Sequence, residues 1–201
     1  AFASSKMFYA ALGQWNIASS QWVPFYILYL FKTGSDPHRW RYPLMGALFL
    51  LFQAYAELTY ASFLAIFTLV WVAWQVVRYA RTGRTGSIPR LFANLAVLCV
   101  VFVIGLAPVL LMMIPDLLSE GDIFVEGGGF ASEFSADLLG YLIPTQLHPL
   151  LGSLPARFQF DHTVGQHIFL GFATAVLAVV GAVAWRRRPV VRFWLVSTLL
   201  F

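Results

Sequence analysis

Long apolar runs alternate with short polar interruptions along this 201-residue chain, and the interruptions carry most of its charge. A helix of about 20 apolar residues crosses the ~30 Å hydrocarbon layer of a bilayer, so the pattern predicts spans at residues 14–31, 91–114 and 167–185. The run 44–77 holds 34 residues, which as one helix would be ~51 Å long, well beyond a membrane. Two short spans joined by a tight tip are therefore expected, with Gln53, Tyr55, Glu57, Thr59 and Tyr60 marking the tip. Pro108, inside the run 91–114, removes a backbone donor and is expected to kink that helix. Residues 193–201 open a sixth span that is too short to cross, at ~14 Å. Residues 1–13 form either an interfacial helix or the end of an earlier external loop. No ~10-residue alternating strands occur, which excludes a membrane β-barrel. The expected fold is all-α. It is a polytopic transmembrane helical bundle with about five full spans plus a truncated sixth, forming one domain over 1–201 with a long external loop at 115–166.

Composition sharpens this reading. Apolar residues make up 60% of the chain and charged residues 11%, against about 45–50% and about 25% in soluble domains. A water-soluble domain of this length could not hide that much apolar surface. Charge then sets orientation. Of the thirteen Lys and Arg, eleven fall in the interruptions 32–43, 78–90 and 186–192; only Lys6 and Arg157 do not. Of the nine Asp and Glu, eight fall outside those loops, Asp36 being the exception. The positive-inside rule places the three basic loops in the cytoplasm and 115–166 outside, with the bacterial inner membrane as the expected location. The same rule supports the 44–77 hairpin, because basic residues flank both its ends. Ala1 is preceded by no initiator Met and opens no basic signal region, so an internal piece of a larger protein is expected. Cys99, the single cysteine, offers neither a disulfide nor a metal cluster and is expected to pack within a span.

Several polar groups can carry chemistry. Gln14 and Gln21, seven apart, would share a face of a continuous helix, as would Asn16 and Ser20, four apart. That face is either the wall of a pocket for a sugar or phosphate, or a set of interhelical hydrogen bonds. Glu57 is the only acid in 44–77. It is either a functional ionisable group or a tip residue reaching water. The loop 115–166 is longer than a connector needs. Its first half carries Asp116, Glu120, Asp122, Glu126 and Glu133 around Gly127-Gly128-Gly129. These acids can bind a divalent cation or form a solvated surface; they lack the spacing of a calcium loop. The second half, 137–152, is apolar with two Pro and is expected to lie on the membrane or over the bundle, with Tyr141, Gln146 and His148 at the external mouth. His148 is either structural or an acid, base or phosphate donor. Asp161, His162 and His167 match zinc ligands in type but not in spacing. Arg186, Arg187 and Arg188 set topology and attract anionic lipid. Gly171, Ala175, Ala178 and Ala182 suit close helix packing. No Gly-rich phosphate loop, nucleophile elbow, HExxH motif or haem attachment site occurs. Nothing points to nucleic acid, because the basic residues belong to membrane topology.

Two stretches carry a family resemblance. Gly13-Gln-Trp-Asn-Ile-Ala-Ser-Ser-Gln-Trp-Val-Pro-Phe-Tyr26 resembles a segment of bacterial polytopic membrane glycosyltransferases of the GT-C superfamily, including its YfhO-like branch. There the pattern is often His/Gln-x-Asn-x-x-Ser-x-x-Trp-x-Pro, followed by a span and a basic loop. The hairpin 44–77 with its Tyr-rich tip resembles the next pair of spans. Tyr141-Leu-Ile-Pro-Thr-Gln-Leu-His-Pro149, followed by Phe169-Leu-Gly-Phe172, resembles a later external loop and helix. The resemblance implies transfer of a sugar from a polyprenyl-phosphate donor to an external acceptor. In that superfamily an Asp or Glu of the first external loop serves as catalytic base or metal ligand. That loop would precede Ala1, so no residue here inherits the role. Gln14, Asn16, Gln21, Glu57, Tyr141 and His148 are the expected substrate-binding positions, with membrane lipids and the lipid-linked sugar as partners. Two other functions fit the composition. A noncatalytic subunit of a larger membrane complex predicts extensive contacts with other membrane subunits and no polar cavity. A transporter predicts midplane charges and broken helices in repeated halves.

Overall fold

The computed structural model describes residues 4–120, 138–144, 148–157 and 169–200. Among them every regular element is helical: α1 (Ser4–Ala11), α2 (Trp15–Ala18), α3 (Val23–Ser35), α4 (Arg41–Ala56), α5 (Leu58–Arg81), α6 (Ile88–Glu120), α7 (Leu154–Arg157), α8 (Phe172–Trp185) and α9 (Pro189–Leu200). Short 3₁₀ turns occupy Thr85–Ser87 and Leu138–Tyr141. The chain divides into two compact units. One comprises Ala1–Ala18 and Gly121–Leu195, the other Ser19–Glu120 and Val196–Phe201.

In the second unit, helix boundaries follow from local chemistry. Pro24 sits in the first turn of α3, where a missing N–H costs nothing. Pro37 bars the helical conformation for the residue before it, and α3 ends at Ser35 with Asp36 at φ −134°, ψ 83°. Glu57 is extended, at φ −162°, ψ 111°, and separates α4 from α5 where the tip was expected. Its carboxylate accepts from the Thr59 backbone N–H at 3.4 Å and the Thr59 hydroxyl at 2.9 Å, which caps α5. Replacing Glu57 by Ala is expected to cost ~1 kcal/mol of stability, whereas Asp retains the cap. Denaturant titration in micelles checks this, and an Ala variant as stable as wild type would show the cap to be idle. At the far end of α5, Gly83 takes φ +69°, and the Arg84 N–H returns to the Tyr79 carbonyl at 2.9 Å, an ending glycine permits.

Contacts fix the direction of the four long helices. Trp22 meets Phe52 and Tyr29 meets Tyr42, so α3 and α4 are antiparallel. Tyr26 pairs with Thr68, and Gln75 and Tyr79 reach Gly34, so α5 runs parallel to α3. Tyr55 reaches Gly105, and a Cβ on Gly46 would meet Leu98, so α6 runs parallel to α4. The result is an up-down-up-down unit. Its core includes Tyr26, Leu30, Ala47, Leu50, Leu64, Trp71 and Leu91. Phe49 stacks against Trp22, Phe25 and Tyr29, with centroids 5.9, 5.1 and 5.6 Å away, each pair contributing about 0.5–1.5 kcal/mol beyond its burial.

Among the described residues, two helices are long and apolar enough to cross a membrane: Leu58–Arg81, with mean hydropathy 1.8, and Thr85–Pro115, with 3.0. Both are apolar on their outward faces too; Phe63, Ile66 and Leu69 on α5 and Val103, Ile104 and Leu111 on α6 are exposed. An all-round apolar surface belongs to a helix buried in protein or lipid. The expectation of five full spans is corrected here. Besides these two, α3, α4, α8 and α9 have 13, 16, 14 and 12 residues, short of about 20.

The predicted first span, 14–31, is not continuous. α2 ends at Ala18, and residues 19–22 turn before α3 begins. The cause is Pro24, whose ring would strike the carbonyl of Ser20 in a through-helix. The shared helical faces expected for Gln14 with Gln21, and for Asn16 with Ser20, therefore do not exist. α6 runs through Pro108 and Pro115 to Glu120, overrunning the predicted end of its span. The third basic interruption reduces to a turn at 186–188, and Arg192 lies inside α9.

Candidate functional site

The four-helix unit separates its polar groups by end. At one end, Lys32, His38, Arg39, Arg41, Arg78, Arg81, Arg84 and Arg90 gather around the α3–α4 and α5–α6 connections. Side chains tie these connections together. Asn94 Nδ2 donates to the Pro37 carbonyl at 2.9 Å, and Arg90 Nη1 contacts the His38 ring nitrogens. Arg39 pairs with Asp36 at 3.1 Å. Lys32 Nζ lies over the rings of Tyr29 and Tyr42, 5.1 and 5.7 Å from their centroids, a geometry that attracts cations.

The opposite end carries Ser19, Ser20, Gln21, Gln53 and Glu57. Gln53 is fully buried, and its Nε2 donates to the Ser19 carbonyl at 2.9 Å. That bond fixes the turn that follows α2 and satisfies a carbonyl the broken helix would leave open. Gln53 Oε1 is buried and meets no donor among the described residues. Gln21 is exposed on the turn, while Glu57 spends one carboxylate oxygen on the α5 cap.

The remaining expected positions belong to the first unit. Gln14 and Asn16 are exposed around the short α2. Gly13, at φ +76°, closes α1, the Gln14 N–H returns to the Tyr9 carbonyl at 2.9 Å, and Lys6 Nζ reaches the Ile17 carbonyl at 2.9 Å. Tyr141 and His148 are brought to one short stretch. The Leu170 N–H donates to the Tyr141 carbonyl at 3.2 Å, and the His148 ring meets Phe169 edge-on at 6.1 Å. His148 Nδ1 accepts the Leu150 and Leu151 N–H groups at 3.2 and 3.1 Å. Its proton therefore belongs on Nε2, leaving that N–H to donate.

Gln146, Asp122, Glu126, Glu133, Asp161, His162 and His167 lie outside the described residues, as do the three glycines at 127–129. Among the described residues, no three His, Cys, Asp or Glu side chains gather as a metal site. Sequence reasoning missed the buried amides Gln75 and Asn94 and treated Gln53 only as a tip marker. The available signal was a lone amide within an apolar run, which in a helix bundle has to find a partner. Comparison with protein-family models, with curated proteins and with solved structures finds no match.

Proposed function

We propose that this chain is an integral membrane glycosyltransferase of GT-C type, transferring a sugar from a polyprenyl-phosphate donor to an acceptor outside the cytoplasm. The observation that carries the membrane part is the sorting of polar groups in the four-helix unit. Basic residues cap one end, and uncharged amides and hydroxyls with Glu57 cap the other, with exposed apolar side chains between. Such a body suits a bilayer with the basic end inside. The shorter α3 and α4 pack along α5 and α6, and Gln53 satisfies the Ser19 carbonyl where the chain is not helical. The glycosyl-transfer part is supported by the resemblance carried by residues 13–26, of which Ser19, Ser20 and Gln21 lie at the non-basic end of the four-helix unit, and, within the other unit, by the bond and ring contact that bring Tyr141 and His148 to Leu170 and Phe169.

Two experiments test the reading. In a Cys99→Ala background, cysteines at Thr85 and Leu58 should label with a membrane-impermeant maleimide from opposite sides, Thr85 from the cytoplasm. Labelling of both from one side sinks the topology. Reconstituted protein should consume a polyprenyl-phosphate sugar, and the variant Gln14→Ala, Gln21→Ala, His148→Asn should lose about 100-fold or more of that turnover. Asn at 148 retains an acceptor for the turn while removing Nε2. Turnover unchanged by the triple substitution would count against these positions as substrate-binding residues.

A second reading, a noncatalytic subunit of a larger membrane complex, is favoured by α6. Most of its apolar side chains are exposed, Val103, Ile104 and Leu111 among them, leaving a face for lipid or for another subunit. Absence of sugar consumption by the correctly inserted wild type would move this reading to the front.

A further inference from the structure

The α8–α9 junction concentrates charge without balancing it. Arg186, Arg187 and Arg188 occupy a three-residue turn closed by the Arg188 N–H on the Trp185 carbonyl at 2.9 Å. Arg192 Nε, one turn into α9, donates to the Arg186 carbonyl at 3.2 Å and pins the turn from the helix side. From Phe169 to Leu200 there is no Asp or Glu. Among the described residues, the three turn side chains make no hydrogen bond or ion pair. Three guanidinium groups on adjacent residues repel one another, and an anion held between them removes that repulsion. The turn is also concave. Val183, Ala184, Trp185 and the three arginines line a recess of ≈ 450 Å³, within the range that ligand sites occupy. One side of that recess is apolar and continues into α8, and Trp185 is half exposed, the placement tryptophan favours at a membrane interface.

We infer that this recess is a seat for the phosphodiester of an anionic phospholipid. The fork of an arginine matches two phosphate oxygens at once, which a lysine ammonium does not. Val183 and Trp185 line the same recess and offer apolar surface to the glycerol and first acyl carbons of a lipid. The apolar side chains beside the three guanidinium groups distinguish this recess from the diffuse attraction any basic loop has for an acidic leaflet, and the inference does not depend on the glycosyltransferase reading.

The test uses the full chain in mixed micelles, titrated with phosphatidylglycerol or phosphatidylcholine, with bound lipid counted by native mass spectrometry. The wild type should retain phosphatidylglycerol at about tenfold lower concentration than phosphatidylcholine. The variant Arg186→Lys, Arg187→Lys, Arg188→Lys keeps every charge and should lose most of that preference. Arg187→Lys alone, which disturbs the turn least, should lose part of it. A triple variant that prefers phosphatidylglycerol as the wild type does would overturn the seat, since charge alone would then suffice. A wild type with no preference overturns it too. Millimolar inorganic phosphate should leave the lipid bound; complete displacement would mean a site for free phosphate and would refute the lipid assignment.

Discussion

Gly34→Ala is expected to destabilise the four-helix unit by about 3 kcal/mol. Gly34 is buried one residue before the end of α3, and a Cβ there would stand 2.6 Å from Trp71 Cζ2 and 3.0 Å from Gln75 Nε2. Trp71 is itself only 2% exposed, and a rigid ring in a filled core has no rotamer to retreat to. Relief has to come from moving α3 away from α5, which would also lengthen the bonds that Gln75 and Tyr79 make to the Gly34 carbonyl. Gly105→Ala provides the contrast. Its Cβ would approach Leu51 Cδ2 at 2.5 Å, but that atom is the end of a flexible side chain, and Ala gains up to ~1 kcal/mol over Gly inside a helix. The Gly105 variant should therefore stay within about 1 kcal/mol of wild type. Denaturant titration of both variants in the same micelles decides the matter, and equal losses would mean that the rigidity of Trp71 has no energetic weight.

The same region shows what could be read from the chain and what could not. The break at Glu57 was legible because length forced a division of residues 44–77 and one acid stood at its middle. The gathering of basic residues at one end of the four helices was legible because charge at helix ends reports orientation more directly than propensity does. The break between α2 and α3 was not anticipated, although Pro24 announces it. Seven-residue spacing between Gln14 and Gln21 has meaning only within one helix, and the helix stops between them. Span lengths were overestimated for a related reason: an apolar run counts residues that turn, such as Ser19 to Trp22, as though they were helical. The partners of Gln53, Gln75 and Asn94 were illegible, since each lies more than 30 residues away in sequence and depends on which helices pack together. Of the candidate site, the Tyr141–His148 segment and the stretch opening α8 were recognisable as two patches. That a backbone bond and a ring contact join them at Leu170 and Phe169 required the fold.

The double substitution Gln75→Leu, Tyr79→Phe should be far worse than its parts. The last carbonyls of a helix have no partner within it, and that of Gly34, on the next-to-last residue of α3, is one of them. Two side chains of α5 supply what α3 lacks: Gln75 Nε2 at 2.9 Å and the Tyr79 hydroxyl at 2.6 Å. Gln75 is 2% exposed and Tyr79 0%, so water cannot take their place. Either single variant leaves the carbonyl with one donor and should cost ~1 kcal/mol, the net value of one hydrogen bond. Removing both strands a buried acceptor, which adds a further 1–3 kcal/mol, roughly, as a coupling between the two positions. Leu and Phe conserve most of the volume and ring packing, so cavity formation contributes little. A double-mutant cycle in micelles reads the coupling directly. Strict additivity would show that the Gly34 carbonyl finds another donor when both are gone, and the joint between α3 and α5 would then rest on the packing of Trp71 against Gly34.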